Sequence, residues 1–179
     1  MLPCKRALKY MEKGNVELLL TPRRTPEREK FMYYPSEPIH IEKTVLIVPK
    51  GSSIKITKLD DLKYKKVGVV GGYSYDPEFD NHPDIKKIVC DDDKALVKIF
   101  AYKRVSVTAG VDEGAMRYLF KQAGIEIEVA YVFSGIPSYI AFSKKAAGGR
   151  GKIFAEKFGE ALRILKEEGG VKKIESKYF

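Results

Sequence analysis

Leu20-Thr21-Pro22-Arg23-Arg24-Thr25-Pro26-Glu27-Arg28 is the stretch from which the rest of this chain is read. Thr25 ahead of Pro26 marks a helix start: a hydroxyl caps free amides, and proline needs no amide partner at the first helical position. Arg28 then falls in the first turn, with Arg23 and Arg24 in the loop before it. A guanidinium beside a helix N-terminus suits a carboxylate, which it can hold through two parallel hydrogen bonds. A capped surface helix with solvated arginines fits the same nine residues. Taken alone, they leave both readings open.

Upstream, Val16–Leu20 is a short apolar run that reads as a buried strand. Cys4, Ala7, Leu8 and Met11 recur at helical spacing, so residues 3–13 read as an amphipathic helix stopped by Gly14. Downstream, Phe31–Pro38 is aromatic and punctuated by proline, which suits a loop lining a site. Thr44–Pro49 is a second apolar strand, and Thr57–Leu62 reads as a short capped helix. The texture changes there, and a lobe boundary is expected near 50–65.

Beyond it, Val67–Val70, Ile85–Cys90 and Val105–Ala109 read as strands. A helix starting at Asp91–Asp93 carries Ala95, Leu96, Ile99 and Phe100, and a second spans Gly114–Ala123 before Gly124. Ile127, Val129 and Tyr131 alternate with more polar neighbours as a half-buried strand does. Strand and helix alternate throughout, so a three-layer α/β unit with a mostly parallel sheet is expected. Tyr139–Phe142 is one more strand, and Gly148-Gly149-Arg150-Gly151 reads as a hinge-like loop. Phe154, Phe158, Ala161, Leu162 and Leu165 mark a long amphipathic helix, broken at Gly169-Gly170. Val171–Phe179 closes the chain as a short basic helix or tail.

The 179 residues hold one ordinary domain or two small lobes, and their charge is high but mixed, which argues against disorder. The formal charge of +9 comes from lysines spread over nearly every segment. With no recognition motif beside them, they read as a solvated basic surface rather than a nucleic-acid site. Cys4 and Cys90 have no metal-type spacing, leaving either one disulfide or two free thiols. His40 and His82 are isolated, which argues against zinc. No apolar run reaches membrane-spanning length, and Met1–Arg6 has no secretion-signal core.

Ligands of open α/β sheets gather beyond the carboxyl ends of strands, near helix starts. Gly71-Gly72-Tyr73-Ser74 follows the 67–70 strand: glycine lets backbone amides face a ligand, and Ser74 offers a hydroxyl. It lacks the Lys-Ser/Thr of a phosphate loop, and a tight strand-to-helix turn explains it as well. Asp112-Glu113 sits just past the 105–109 strand, where it can meet a cationic group or cap the next helix. Asp91-Asp92-Asp93 favours a cap over a metal cluster. There is no Gly-x-Ser-x-Gly elbow, and neither cysteine has a histidine near it in sequence, so no enzyme, metal or cofactor constellation is expected.

Taken together, several pieces resemble the extracellular solute-binding proteins of bacterial ABC importers, family 3, the class that includes polar amino-acid binders. They are Thr25–Phe31 with Ser36-Glu37-Pro38, Leu59–Lys63 through Val67-Gly68-Val69 and Gly72, Tyr139–Lys144, and Ile174–Phe179, and their order holds along essentially the whole chain. The resemblance implies a type II periplasmic-binding-protein-like fold of two α/β lobes closing on a ligand. Lobe 1 would comprise residues 1–48 plus 139–179, and lobe 2 residues 49–138 with its core at 67–132. The crossover strands would lie near 44–48 and 139–142. The family's carboxylate-gripping arginine falls on Arg28, its small polar residues near Thr21 and Arg23, and its second-lobe hydroxyl on Ser74. The Gly72-Tyr73 turn would close beside that hydroxyl. The acidic residue that holds an amino group falls at Val111 or Asp112.

The chain departs from that pattern in two places. Its first element corresponds to one after the family's signal peptide and founding strand–helix–strand, so lobe 1 is expected to be incomplete at its N-terminus, with a strand edge and an apolar face left open. The family's Gly-Arg-x-Asp reads Lys103-Arg104-Val105-Ser106 here. The implied function is non-enzymatic binding of a small carboxylate-bearing solute, an amino acid or related polar metabolite. Its partners would be the membrane subunits of an importer, and its place periplasmic or extracellular. The alternatives are a ligand-sensing module of a receptor and a dehydratase-like enzyme on the same scaffold.

Overall fold

The computed structural model describes residues 2–176 and divides into two compact units, Met1–Arg6 with Glu42–Ile136 and Ala7–Ile41 with Pro137–Phe179. Tyr178 and Phe179, the end of the terminal resemblance motif, and Lys177 before them lie outside the described residues.

The larger unit is built on a five-stranded sheet. Counting strands along the chain, its members are β4 (Val45–Pro49), β5 (Lys66–Val70), β6 (Lys86–Cys90), β7 (Val107–Gly110) and β8 (Ile127–Val132). The spatial order is β6-β5-β7-β4-β8. Strand β5 runs parallel to β6 and β7, whereas β4 is antiparallel to both β7 and β8. The sheet is therefore mixed, where the alternation of elements suggested a mostly parallel one. The 44–48 run, expected as a first-lobe crossover, forms β4 inside this sheet. An all-apolar run of that kind needs neighbours on both sides, and β7 and β8 supply them.

Period-two alternation splits the β4 side chains between two cores. Leu46 and Val48 join Leu62, Val67, Val69, Phe79, Val107 and Phe133 on one face. Val45 and Ile47 join Leu96, Phe100, Met116 and Phe120 on the other. Those last four belong to α4 (Asp93–Ala101) and α5 (Glu113–Gln122), each started by an aspartate cap, Asp92 and Asp112. Gly68 is what lets α4 lie flat on the sheet: a β-carbon there would come within 2.7 Å of Leu96 Cδ1. Further helical pieces are a 3-10 turn at Leu59–Leu62 and α3 (Pro77–Asn81).

The second unit has a four-stranded sheet in which β9 (Ile136–Ser143) is central. It pairs antiparallel with β1 (Leu18–Arg23) and β2 (Met32–Tyr33), and β3 (His40–Glu42) pairs with it as well. One face packs Leu19, Met32 and Ala141 on Met11 and Leu8 of α1 (Cys4–Lys13). The other packs Ile140 and Phe142 on Ala155 and Phe158 of α7 (Gly149–Glu167). Short helices α2 (Pro26–Glu29), α6 (Lys144–Ala147) and α8 (Gly170–Glu175) complete it.

Two sequence expectations are corrected in this unit. The 16–20 run is not a buried strand: β1 is an edge, and Leu18 and Leu20 are 40% and 62% exposed. Gly148–Gly151 is not a hinge loop, because α7 begins at Gly149. A β-carbon on Gly151 would stand 3.1 Å from a Tyr33 ring carbon, so the glycines there serve close helix-to-sheet approach.

Candidate functional site

In the second unit the expected site residues cluster at the β1–α2 junction. Thr25 caps α2 as its sequence predicts, its hydroxyl accepting from the Arg28 amide at 3.4 Å. Arg28 is half-buried, and its Nη1 donates to the Arg23 carbonyl at 2.9 Å. Tyr34 reaches the same oxygen, its hydroxyl donating at 3.1 Å. Two donors on one carbonyl fix the end of β1 against the start of α2. Tyr34 is held in turn by an edge-on contact with the Tyr139 ring at 5.7 Å. Burial pushes its phenol up to about 12, against the pull of Arg28 and Arg24.

Arg23 itself is 3% exposed, so its side chain belongs to the interior rather than to a solvated loop. Thr21 is exposed and adopts a left-handed backbone with φ 57, at the point where the β1–β9 register shifts between Leu20 and Arg23. Such a conformation is uncommon outside glycine and asparagine, and strain of this kind collects at functional sites. Arg24 turns the other way: its guanidinium binds Glu29 Oε1, with Nε at 2.6 Å, and lies 5.8 Å over the Tyr34 ring. Together with Tyr33 and Lys144 these groups line a cavity of about 270 Å³ whose wall does not include Arg28.

In the larger unit the remaining candidates follow β5. Gly71 N donates to the Cys90 carbonyl at 2.8 Å, and Tyr73 N closes a turn on Val70 O at 3.2 Å. Gly72 takes φ +87, and a β-carbon there would sit 2.8 Å from the Lys5 amide nitrogen. The Cys4 thiol donates to Gly72 O at 3.4 Å, so the first turn of α1 lies against this loop. Both cysteines are free. Ser74 Oγ and Tyr75 N donate to the same oxygen of Asp80, at 3.2 and 3.0 Å. Tyr73 donates to Asp93 Oδ2 at 2.7 Å, and burial raises the Asp93 carboxyl above its ordinary range. The Tyr75 hydroxyl accepts from Val70 N at 2.7 Å, and Tyr75 stacks edge-on with Phe79. Asp112 caps α5, accepting from Ala115 N at 2.7 Å.

The second unit thus brings Arg23 and Arg28 into direct contact, with Thr21 on the same strand. The larger unit gathers Gly72, Tyr73 and Ser74 in one loop and places Asp112 after β7. Sequence reasoning missed Tyr34, Asp80 and Asp93. The stretch after Phe31 is visibly aromatic, but nothing local links Tyr34 to a carbonyl eleven residues earlier. Asp80 and Asp93 look like ordinary early-helix acids. Among the described residues, no group of three His, Cys, Asp or Glu side chains is placed to hold a metal ion.

No family model matches the sequence, and no curated protein is similar to it at sequence level. Solved structures are similar. A mutant of ArgBP from T. maritima matches with TM-score 0.81 and 20% identity over 100% of this chain and 75% of that one. An ancestral arginine-binding protein bound to glutamine matches with TM-score 0.80 and 27% identity, over 99% and 77% of the two chains. The substrate binding protein of an amino acid ABC transporter matches with TM-score 0.80 and 21% identity, over 99% and 77%. The fold of this chain is the periplasmic-binding-protein-like α/β fold of amino-acid binders.

Proposed function

We propose that this chain binds a small solute through its carboxylate, an amino acid or a close polar relative, and delivers it to the membrane subunits of an ABC importer. The observation that carries the reading is the Arg28 guanidinium, oriented by its bond to the Arg23 carbonyl in the first turn of a capped helix. A planar group with five fixed N–H donors, held in one orientation, is suited to a carboxylate. The similar structures, which are amino-acid binding proteins rather than enzymes, support the same class of ligand.

In this reading Arg28 holds the carboxylate. Thr21 and Arg23 shape its surroundings in one lobe, and Gly72, Tyr73 and Ser74 close on the ligand from the other. Asp112 meets a cationic group on the solute. Binding is non-enzymatic, needs no cofactor, and takes place on the outer side of the membrane.

A thermal-shift series tests the reading. Ligand that binds only the native state raises the unfolding midpoint with concentration. Arginine and glutamine are the first probes, because one similar ancestral arginine-binding protein structure is bound to glutamine and another to arginine. The panel should extend to the other amino acids, each set against its decarboxylated amine. A carboxylate ligand gives a shift that its amine does not. A panel in which amines shift the midpoint as far as their parent acids contradicts the proposal.

A further inference from the structure

We propose that α7 carries a self-complementary face through which two copies of this chain pair, helix against helix and antiparallel about a two-fold axis. The helix buries Gly151, Ala155, Gly159 and Leu162. Its opposite face presents Arg150, Ile153, Lys157, Glu160, Ile164 and Glu167, spaced alternately three and four residues apart. That spacing makes one continuous stripe along the helix. Ile153 and Ile164 lie on it 50% and 42% exposed, with Phe154 and Leu165 partly exposed beside them. The two isoleucines leave apolar area on the midline of the face that a partner helix can cover.

The order of charges on the stripe identifies the occupant. Along the chain it runs cation, isoleucine, cation, acid, isoleucine, acid. Reversed, it is its own complement. An antiparallel second copy sets Arg150 opposite Glu167, Ile153 opposite Ile164 and Lys157 opposite Glu160, and the two-fold repeats each contact. A parallel copy would set Lys157 on Lys157 and Glu160 on Glu160, which charge repulsion disfavours. Lys157 and Glu160 form no ion pair among the described residues. Arg150 makes only an exposed 3.9 Å contact with Glu17, and Glu167 accepts from Arg163 at 2.7 Å on its own helix. One helix face buries little area, so the dimer is weak and reversible, and its exposed ion pairs make it salt-sensitive.

Sedimentation equilibrium of the full chain tests this with two charge reversals, Lys157→Glu and Glu160→Lys. The wild-type protein should dimerise reversibly, and more weakly as salt rises. Each reversal alone sets like charges across the axis and should weaken the dimer by about tenfold or more. Mixed in equal amounts, the two variants regain opposite charges at both positions and should recover a one-to-one heterodimer. Ile153→Gln with Ile164→Gln removes the apolar contacts without touching charge and should leave a monomer. Circular dichroism and an unchanged unfolding midpoint confirm that the variants fold, as substitutions at exposed positions should allow. A wild-type monomer at every concentration, a dimer indifferent to either reversal, or no recovery on mixing overturns the proposal.

Discussion

Arg28 Nη1 and the Tyr34 hydroxyl both donate to one acceptor, the carbonyl of Arg23, at 2.9 and 3.1 Å. This shared oxygen ties the end of β1 to α2 and sets the orientation of the guanidinium. Tyr34→Phe removes one donor and leaves the ring packed on Tyr139. We expect a loss of about 1 kcal/mol of unfolding free energy in urea, the usual net value of one such bond. A variant as stable as wild type would mean that Arg28 alone holds the carbonyl.

The β1–α2 junction was partly legible in the sequence. Thr25-Pro26 announced the cap because cap chemistry is local, and the structure keeps it. Arg23 was not legible: in a string of arginines nothing marks one as interior, and only the β1–β9 pairing and the register shift before it place it there. The strand at 67–70 was readable as a short apolar run ending at two glycines, and the one at 127–131 from the alternation of Ile127, Val129 and Tyr131 with more polar neighbours. The 16–20 run does not show its exposure in the sequence, because three consecutive leucines carry no alternation to show which face points inward. The 44–48 run showed a strand but not its sheet, since partners β7 and β8 come some sixty and eighty residues later.

Among the described residues of the larger unit, one buried side-chain oxygen is uncompensated. Thr108 is fully buried in β7, and its Oγ1 has no hydrogen-bond partner. Thr108→Val keeps the shape and removes the orphaned hydroxyl, so stability should be unchanged or rise by up to about 1 kcal/mol. A loss of that size instead, measured by urea unfolding, would mean that the hydroxyl is satisfied in solution.

Asp93 gives the loop after β5 a pH dependence. Its folded-state carboxyl is raised above the ordinary 3.8 by burial first, while the Tyr73 hydrogen bond pulls the other way. A carboxyl raised on folding holds its proton more tightly in the native state. Stability therefore falls as pH rises from the unfolded value of 3.8 through the higher folded one, and the cost persists above it. Asp93→Asn, which can still accept from Tyr73, should be more stable than wild type at neutral pH. The gain should shrink toward zero as pH is lowered to that unfolded value. A gain that does not change with pH would mean that ionised Asp93 costs the fold nothing.

Calorimetric titration of wild type and Arg28→Ala with the carboxylate ligand found by thermal shift tests the central claim most directly. Loss of the guanidinium should cut affinity by about a hundredfold or more. The unfolding midpoint of the free protein should move by only a few degrees, since one partly exposed hydrogen bond is lost. Undiminished affinity in Arg28→Ala would contradict the account and remove Arg28 from the site.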